Sequence, residues 1–354
     1  LKVAKDKISF IQQEISNLQT IILKFYPLFF NSFQQFMNKF YQLCYSNHHT
    51  PAMKVLVTGA NGLLGHHVVE SLLNQNEEVR IIVRSTAKLY FDASRVEIIR
   101  GDFTNENDIQ KAVQSCDAVI HIAAVTATHL LKPDEYYRVN YEATLTLLKL
   151  CDGSKIKRFV YVSSVNTIGF GSSDNPADET HPMCFPFNQS WYALSKKKAE
   201  TVLEQFITKS DVEVVILHPS FIIGSMDSKP GSGRLLLLGY RKRFMAVPSG
   251  GKNFVSARKV AQACCNALYK GSSGSSYIIC DENLSFAAFY DRMKKLRGYA
   301  QTTIMIPDRL LKIAAKAGDL VKKAGIETDL CTRNIEQLLI QEYYSGTKAD
   351  QELE

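Results

Sequence analysis

The stretch Met53–Gly65, MKVLVTGANGLLG, constrains the chain more than any other. Val55-Leu56-Val57 reads as a buried strand that runs into a glycine-punctuated turn and then a helix from Leu63 to about Asn74. Gly59, Gly62 and Gly65 stand in G-x-x-G-x-x-G spacing, a variant of the dinucleotide fingerprint G-x-G-x-x-G. The first glycine permits the tight turn, the second lets a backbone approach a pyrophosphate, and the third lets helix pack close on strand. The helix N-terminus beyond it, with Asn61, Leu63 and Leu64, offers N–H groups and a positive dipole end to phosphates. Three glycines after a strand also make a plain tight turn, so the later segments decide.

Those segments repeat one rhythm. Val79–Val83, Val96–Ile99, Ala118–Ala124, Arg158–Ser163 and Val212–Leu217 are apolar runs, and helical stretches such as Glu106–Ser115, Tyr136–Cys151 and Tyr192–Thr208 lie between them. The alternation predicts an α/β fold of Rossmann type, a doubly wound parallel sheet binding ligands at the carboxyl ends of its strands. After about Ser225 the rhythm breaks. Ser228–Gly233 and Gly250–Asn253 read as loops, Tyr277–Cys280 as a strand, and Lys259–Tyr269, Leu284–Arg297 and Leu310–Ala324 as helices. The expected division is an NAD(P)-binding domain over residues 53–225, with 253–283 returning to it, and a smaller mixed substrate region over 226–354.

Charge and composition exclude several classes. Hydrophobic content of 45% and 22% charged residues are ordinary for a globular chain. Of the net charge of +7, residues 1–52 hold +3 (five Lys against Asp6 and Glu14), which leaves +4 without a basic block and predicts no nucleic-acid partner. The eight cysteines include no C-x-x-C pair and read as reduced thiols of a cytoplasmic protein. No apolar run reaches the roughly 20 residues of a membrane span, so no membrane partner is expected, and no metal site is predicted. Residues 1–52 contain no Gly and no Arg. They read either as an amphipathic helix, with Ile8, Ile11, Ile15, Leu18, Ile22, Phe25 and Phe29 at helical spacing, or as a leader ahead of a native start at Met53, which is preferred.

Tyr192 and Lys196 stand four apart and share a helix face. An ammonium near a phenol favours the phenolate. Tyr starts near 10, so acting as a base near neutral pH asks for about 4 kcal/mol of phenolate stabilisation. The bland alternative is an exposed helix start in a lysine run, Lys196 to Lys198. Ser163 and Ser164 end the Arg158–Ser163 run, where a hydroxyl can reach a bound carbonyl or merely begin a loop.

The glycine turn, the strand-end serine and the Tyr-x-x-x-Lys helix, in this order, resemble the extended short-chain dehydrogenase/reductase family, within the NAD-dependent epimerase/dehydratase superfamily. The resemblance covers about Met53 to Gly346. It implies that Tyr192 is the general acid/base, that Lys196 lowers its pKa and holds the nicotinamide ribose, and that Ser164 rather than Ser163 is the catalytic serine. It further implies cofactor contacts from Asp102 and Phe103, Ala123 and Ala124, Asn140 and Pro219. Where NAD sites carry an acid after the second strand, this chain has Arg84, then Ser85, with Lys88 nearby. A cation suits a 2′-phosphate, so NADP(H) is favoured, with NAD(H) possible.

Relatives acting on nucleotide sugars carry Asn where His218–Gly224 has Phe221, and Arg where Asn253 stands. Both changes point to the dihydroflavonol reductase and 3β-hydroxysteroid dehydrogenase branches. Lys259 replaces a frequent Asp, and the chain stops at Glu354 where relatives continue through a Leu-Gly pair, which suggests C-terminal truncation. The expected activity is hydride transfer between nicotinamide and a ketone or secondary alcohol of a fairly apolar small molecule, in a possible homodimer. Phe185, Phe187, Trp191 and Phe221 are candidates for an apolar pocket or plain core. The rivals are a nucleotide-sugar epimerase or dehydratase with tightly held NAD, and a non-catalytic dinucleotide sensor.

Overall fold

Strand β1 (Lys54–Thr58) sets the register of everything around it, because Val55, Leu56 and Val57 are each fully buried. The computed structural model describes residues 52–85, 89–126, 132–227, 231–326 and 328–354, so the readings of residues 1–51 and of Lys88 lie outside it. Beside β1 run β2 (Glu78–Val83), β3 (Val96–Arg100), β4 (Ala118–His121), β5 (Arg158–Val162), β6 (Glu213–Pro219) and β10 (Ser276–Ile279). These form a seven-stranded sheet in the order β10-β6-β5-β4-β1-β2-β3, with every pair parallel. Such strands are covered on both faces, which explains their near-continuous apolar runs.

Alternation along each strand feeds two separate cores. Val55, Val57, Ile81 and Leu217 meet helix α1 (Leu63–Asn74) through Leu64, Val68 and Leu72, together with α6 (Ala257–Asn266) through Val260 and Cys264. Leu56, Val119, Phe159 and Ile216 face the other way, toward α2 (Glu106–Val113), α3 (Ala143–Cys151) and α4 (Trp191–Ile207). Each large apolar side chain so buried contributes about 1.5–3 kcal/mol. The chain winds outward from β1 to β3, then crosses to β4 on the opposite side of β1. Strand order therefore reverses between β1 and β4, and the crevice at their carboxyl ends is where a doubly wound sheet holds a ligand.

Several expected boundaries move, each for a local reason. The Ala118–Ala124 strand stops at His121, because the N–H groups of Ile122 and Ala123 turn to the Thr58 hydroxyl at 3.1 and 3.2 Å. The helix before Cys151 is not uniform: Asp134–Tyr136 leads into a π-helical turn, Tyr137–Glu142, and then α3. Gly250–Asn253, expected as a loop, belongs largely to β9 (Gly251–Ser256). Its glycines serve close packing: a Cβ on Gly251 would stand 2.5 Å from the Tyr343 hydroxyl and 2.6 Å from the Leu284 carbonyl oxygen.

Leu284 belongs to β11 (Glu282–Ser285), and the following helix α7 starts at Phe286 under a cap from Ser285. Around β9 pair β7 (Phe221–Ile223), β11 and β13 (Gln341–Glu342). A separate parallel ribbon joins β8 (Phe244–Val247) to β12 (Thr302–Met305). Helices α5 (Gly233–Gly239), α8 (Asp308–Lys323), α9 (Thr332–Leu339) and α10 (Thr347–Glu352) complete the described chain.

Candidate active site

The glycine turn closes on itself as its spacing predicts. Gly59 has φ +76°, and a Cβ there would lie 2.8 Å from the Ala123 nitrogen, so the β1 and β4 exits touch through it. A Cβ on Gly65 would meet the Gly59 carbonyl oxygen at 2.1 Å. At Gly62 the nearest atom is the Gly59 oxygen, at 3.3 Å, and nothing else lies within 4 Å. That open side, at the residue before α1, fits the approach of a pyrophosphate to the first-turn N–H groups, which have no partner within a helix.

A continuous hydrogen-bond chain ties this turn to the helix that carries Tyr192. Thr58 Oγ1 accepts from Ile122 and Ala123 and lies 2.6 Å from His121 Nδ1. His121 Nε2 is 2.8 Å from Thr144 Oγ1, and Thr144 donates to the Asn140 carbonyl at 2.9 Å. One tautomer satisfies every group: Thr58 donates to Nδ1, and Nε2–H donates to Thr144. Burial, aided by Lys196, pushes the His121 pKa well below its ordinary value, which keeps the ring neutral as this chain requires. The Asn140 amide nitrogen donates to the Val125 carbonyl and to Ser195 Oγ, both at 3.0 Å, and its oxygen accepts from Val125 N at 2.7 Å. Ser195 in turn donates to the Tyr192 carbonyl at 2.8 Å. Asn140, 1% exposed, thus clamps the loop after β4 to α4.

Ser190 caps α4, its hydroxyl accepting from Ala193 N, so Tyr192 falls in the first turn and Lys196 one turn later. Ser164 follows β5, and its hydroxyl lies near enough to the Tyr192 phenol to influence it. Tyr192 keeps part of its surface open, yet its phenol oxygen is closely surrounded. Burial raises the Tyr192 pKa, and the Ser164 hydroxyl opposes that rise.

Lys196 is 1% exposed while Lys197 and Lys198 are exposed, so these three are not one solvated run. Lys196 Nζ donates to the Val162 carbonyl at 2.7 Å and stands 4.2 Å from the centre of the Tyr161 ring. Burial brings its pKa down to about 7 against the pull of Glu200. Burial is the largest influence on the Tyr192 phenol, and Lys196 is aimed at the Val162 carbonyl.

This buried lysine gives a pH prediction. Between about pH 7 and the unfolded value near 10.4 the unfolded chain holds the Lys196 proton and the folded one releases it, so stability rises with pH there. Wild type should gain up to about 1.4 kcal/mol per pH unit on Lys196→Met across that window, and nothing below it. Urea unfolding of both proteins from pH 6 to 9 checks the difference, in which other titrating groups cancel.

Glu200, which the sequence reading passed over, lies two turns beyond Tyr192 and is 2% exposed. Its Oε1 accepts from Ser163 Oγ and, at 2.6 Å, from Thr167 Oγ1, while Oε2 pairs with Lys197 Nζ at 3.0 Å. Thr167 Oγ1 is also 2.9 Å from the Ser164 carbonyl, but one hydroxyl carries one hydrogen. With Nδ1 protonated, His218 serves that carbonyl at 3.2 Å and leaves Thr167 to Glu200. The i, i+4 spacing of Lys196 and Glu200 on the Tyr192 face was the available signal.

The other expected contacts are placed as follows. Asp102 uses one carboxylate oxygen to hold the Thr104 N–H and hydroxyl, both at 2.9 Å, and these bonds lower its pKa with help from nearby Arg84 and Arg138. Phe103 packs on the His121 ring at 4.9 Å. Arg84 is exposed at the end of β2, Ala123 and Ala124 are part-exposed after β4, and Pro219 is buried at the end of β6. Phe187 is core, whereas Phe185 and Trp191 are exposed. The Asn253 side chain is engaged within the protein: it holds Ser220 Oγ at 2.6 Å, Asp281 N at 3.0 Å and Asn283 at 2.8 Å. Among the described residues no cluster of three or more His, Cys, Asp or Glu is placed to hold a metal ion.

Comparison with known proteins agrees with this fold. The sequence profile of the NAD dependent epimerase/dehydratase family matches residues 55–280. A Synechocystis sp. protein named for dihydroflavonol 4-reductase is 27% identical over 309 residues, covering 84% of this chain and 88% of its own length. Sterol demethylase protein B of Methylococcus capsulatus is 28% identical over 276 residues, covering 77% and 83% respectively. The crystal structure of gox2253 superposes with a TM-score of 0.72 at 27% identity, covering 84% of this chain and 92% of that one. The chain belongs to the NAD dependent epimerase/dehydratase family, as an NAD(P)-dependent oxidoreductase of the extended short-chain dehydrogenase/reductase group.

Proposed function

We propose that this protein is an NADP(H)-dependent reductase of an apolar ketone, running in reverse as a secondary-alcohol dehydrogenase. The observation that carries the reading is the placement of Ser164, just after β5, beside the Tyr192 phenol, with Lys196 buried one turn away. The dinucleotide, when bound, supplies or accepts the hydride. Tyr192 donates a proton to the carbonyl oxygen as it becomes a hydroxyl, and the Ser164 hydroxyl donates to the same oxygen. Because burial raises its pKa, Tyr192 is protonated at neutral pH, the form that reduction uses. Lys196 donates to the ribose from its place on the Val162 carbonyl. The turn from Gly59 to Gly65, with Leu63 and Leu64 opening α1, takes the pyrophosphate.

An apolar substrate is supported by two positions, Phe221 and Asn253, where relatives acting on nucleotide sugars carry Asn and Arg. Phe221 packs edge-on against Phe254 at 5.7 Å, and Asn253 is engaged within the protein. Neither offers a sugar diphosphate a contact. The relatives named for dihydroflavonol and sterol chemistry are consistent with bulky, weakly polar ketones.

Arg84 supports the phosphate-bearing dinucleotide, since it is exposed beyond β2. Arg84→Ala should weaken NADPH binding about tenfold or more while leaving NADH binding nearly unchanged, as loss of one charge-assisted contact demands. Fluorescence titration with both dinucleotides measures this. Equal loss for the two would remove Arg84 from the 2′-phosphate site. Turnover of NADPH with a panel of cyclic and aryl ketones tests the activity itself; isomerisation of a nucleotide sugar without net NADPH consumption would overturn it.

A further inference from the structure

Most of the large apolar side chains left exposed among the described residues belong to residues 237–244 and 296–330, away from Ser164 and Tyr192 in the chain. Scattered exposed leucines mean little, but concentrated ones mark a contact surface. Helix α8 shows how the exposure is organised. Ala315 and Gly318 are buried, a Cβ on Gly318 would collide with the Leu330 carbonyl oxygen at 1.5 Å, and Asp319 accepts from Thr332. On the side turned from that packing, Leu310, Ile313, Leu320 and Val321 are 58%, 66%, 68% and 40% exposed. At 3.6 residues per turn these four, with Ala317, fall within about 100° of arc.

Charge borders this stripe on one side. Arg309, Lys312, Lys316 and Lys323 are all exposed and occupy the flank between the stripe and the packed face. Lys312 also reaches Glu336 at 3.2 Å. The two carboxylates of the helix, Asp308 and Asp319, lie toward the packed side, so none interrupts the stripe. The β8–β12 ribbon, which runs directly into α8, continues the pattern. Its register pairs Phe244 with Thr302 and Ala246 with Ile304, which sets these four on one face. Phe244 is 59% and Ile304 52% exposed. Just before β8 come exposed Tyr240, Arg241, Lys242 and Arg243; the Arg241 guanidinium stands 5.3 Å from the Tyr240 ring and that of Arg243 5.6 Å from the Phe244 ring.

We propose that α8, with the adjoining β8–β12 ribbon, docks on the surface of an anionic lipid bilayer. No described helix is long and apolar enough to cross a membrane, and the arrangement is that of an element lying in the interface. The apolar stripe enters the boundary between headgroups and acyl chains, and the flanking Lys and Arg meet lipid phosphates. Charge complementarity selects this occupant: a second copy of the chain would bring the same cations to the contact, and the one carboxylate paired with them among the described residues, Glu336, is already held by Lys312. This binding is independent of the reaction proposed above.

Vesicle flotation of the full 354-residue chain tests the proposal. The protein should float with phosphatidylcholine–phosphatidylglycerol vesicles and not with phosphatidylcholine alone. Ile313→Asp combined with Leu320→Asp should weaken that binding at least about tenfold. Lys316→Glu combined with Lys323→Glu should weaken it by about tenfold or more. All four positions are exposed, so both variants should keep the wild-type melting temperature, which thermal unfolding checks. Absence of flotation, or flotation that both variants retain, would overturn the proposal. Light scattering that shows a dimer lost in the Ile313/Leu320 variant, without vesicle binding, would give the face to a second copy instead.

Discussion

Tyr192→Phe should lower kcat for ketone reduction about 10²- to 10⁴-fold, the range for loss of a positioned proton donor. The substitution removes the hydroxyl that lies beside Ser164 and leaves the ring in place, on a residue that already keeps part of its surface open. NADPH affinity should therefore stay near the wild-type value, because Lys196 is anchored by the Val162 carbonyl rather than by the phenol. Initial rates at saturating NADPH, beside a fluorescence titration of the dinucleotide, separate the two effects. A variant that binds and still turns over at a similar rate would remove Tyr192 from proton transfer. A variant that no longer binds would show that the phenol holds the dinucleotide and would leave its chemical role to Ser164→Ala.

Glu200→Ala should be the most destabilising substitution in the site, at about 3–5 kcal/mol. The carboxylate is the acceptor for the Ser163 and Thr167 hydroxyls, both buried, and for Lys197 Nζ. Each buried donor left without an acceptor costs about 1–3 kcal/mol, and the cavity adds to that. Glu200→Gln keeps a carbonyl oxygen for one hydroxyl and should lose roughly half as much. The change should also reach catalysis, because Glu200 holds Thr167, three residues after Ser164, while His218 holds the Ser164 carbonyl. With the Gln variant we expect kcat to fall while KM for the ketone changes little. Urea denaturation and steady-state kinetics on the two variants measure both. Equal stability of wild type and Glu200→Ala would mean that the hydroxyls find other acceptors.

The sequence carried the parts of the fold that depend on apolar repetition. β1, β2, β5 and β6 are short, mostly apolar runs that are almost wholly buried, and the glycines at 59 and 65 are required by contacts under 3 Å that any Cβ would make. Helical spacing put Tyr192 and Lys196 on one face, and only the resemblance gave them roles. The smaller strands were not. β7, β9, β11 and β13 are brief, part polar, and gain their conformation from pairing with one another. Gly250 and Gly251 looked like loop residues because tight packing and turns call for the same residue type.

The buried polar networks were hidden for a different reason. His121, Thr144, Glu200 and His218 come from separate segments, and only the fold brings each to the partner that makes its burial tolerable. Nothing in local pattern distinguishes such a residue from one on the surface. The burial of Lys196 was hidden on the same ground, since spacing gives proximity on a helix but not the burial that draws the lysine toward neutrality.

The central claim is that Ser164, Tyr192 and Lys196 serve net carbonyl reduction. The most direct test is label transfer: the purified chain is incubated with NADPH deuterated at the transferable nicotinamide position and an apolar ketone, and the alcohol is examined by mass spectrometry. The account predicts deuterium on the carbinol carbon, one NADP⁺ formed per alcohol, and loss of both in Tyr192→Phe. Unlabelled alcohol, or a nucleotide sugar isomerised while NADPH stays unconsumed, would contradict it.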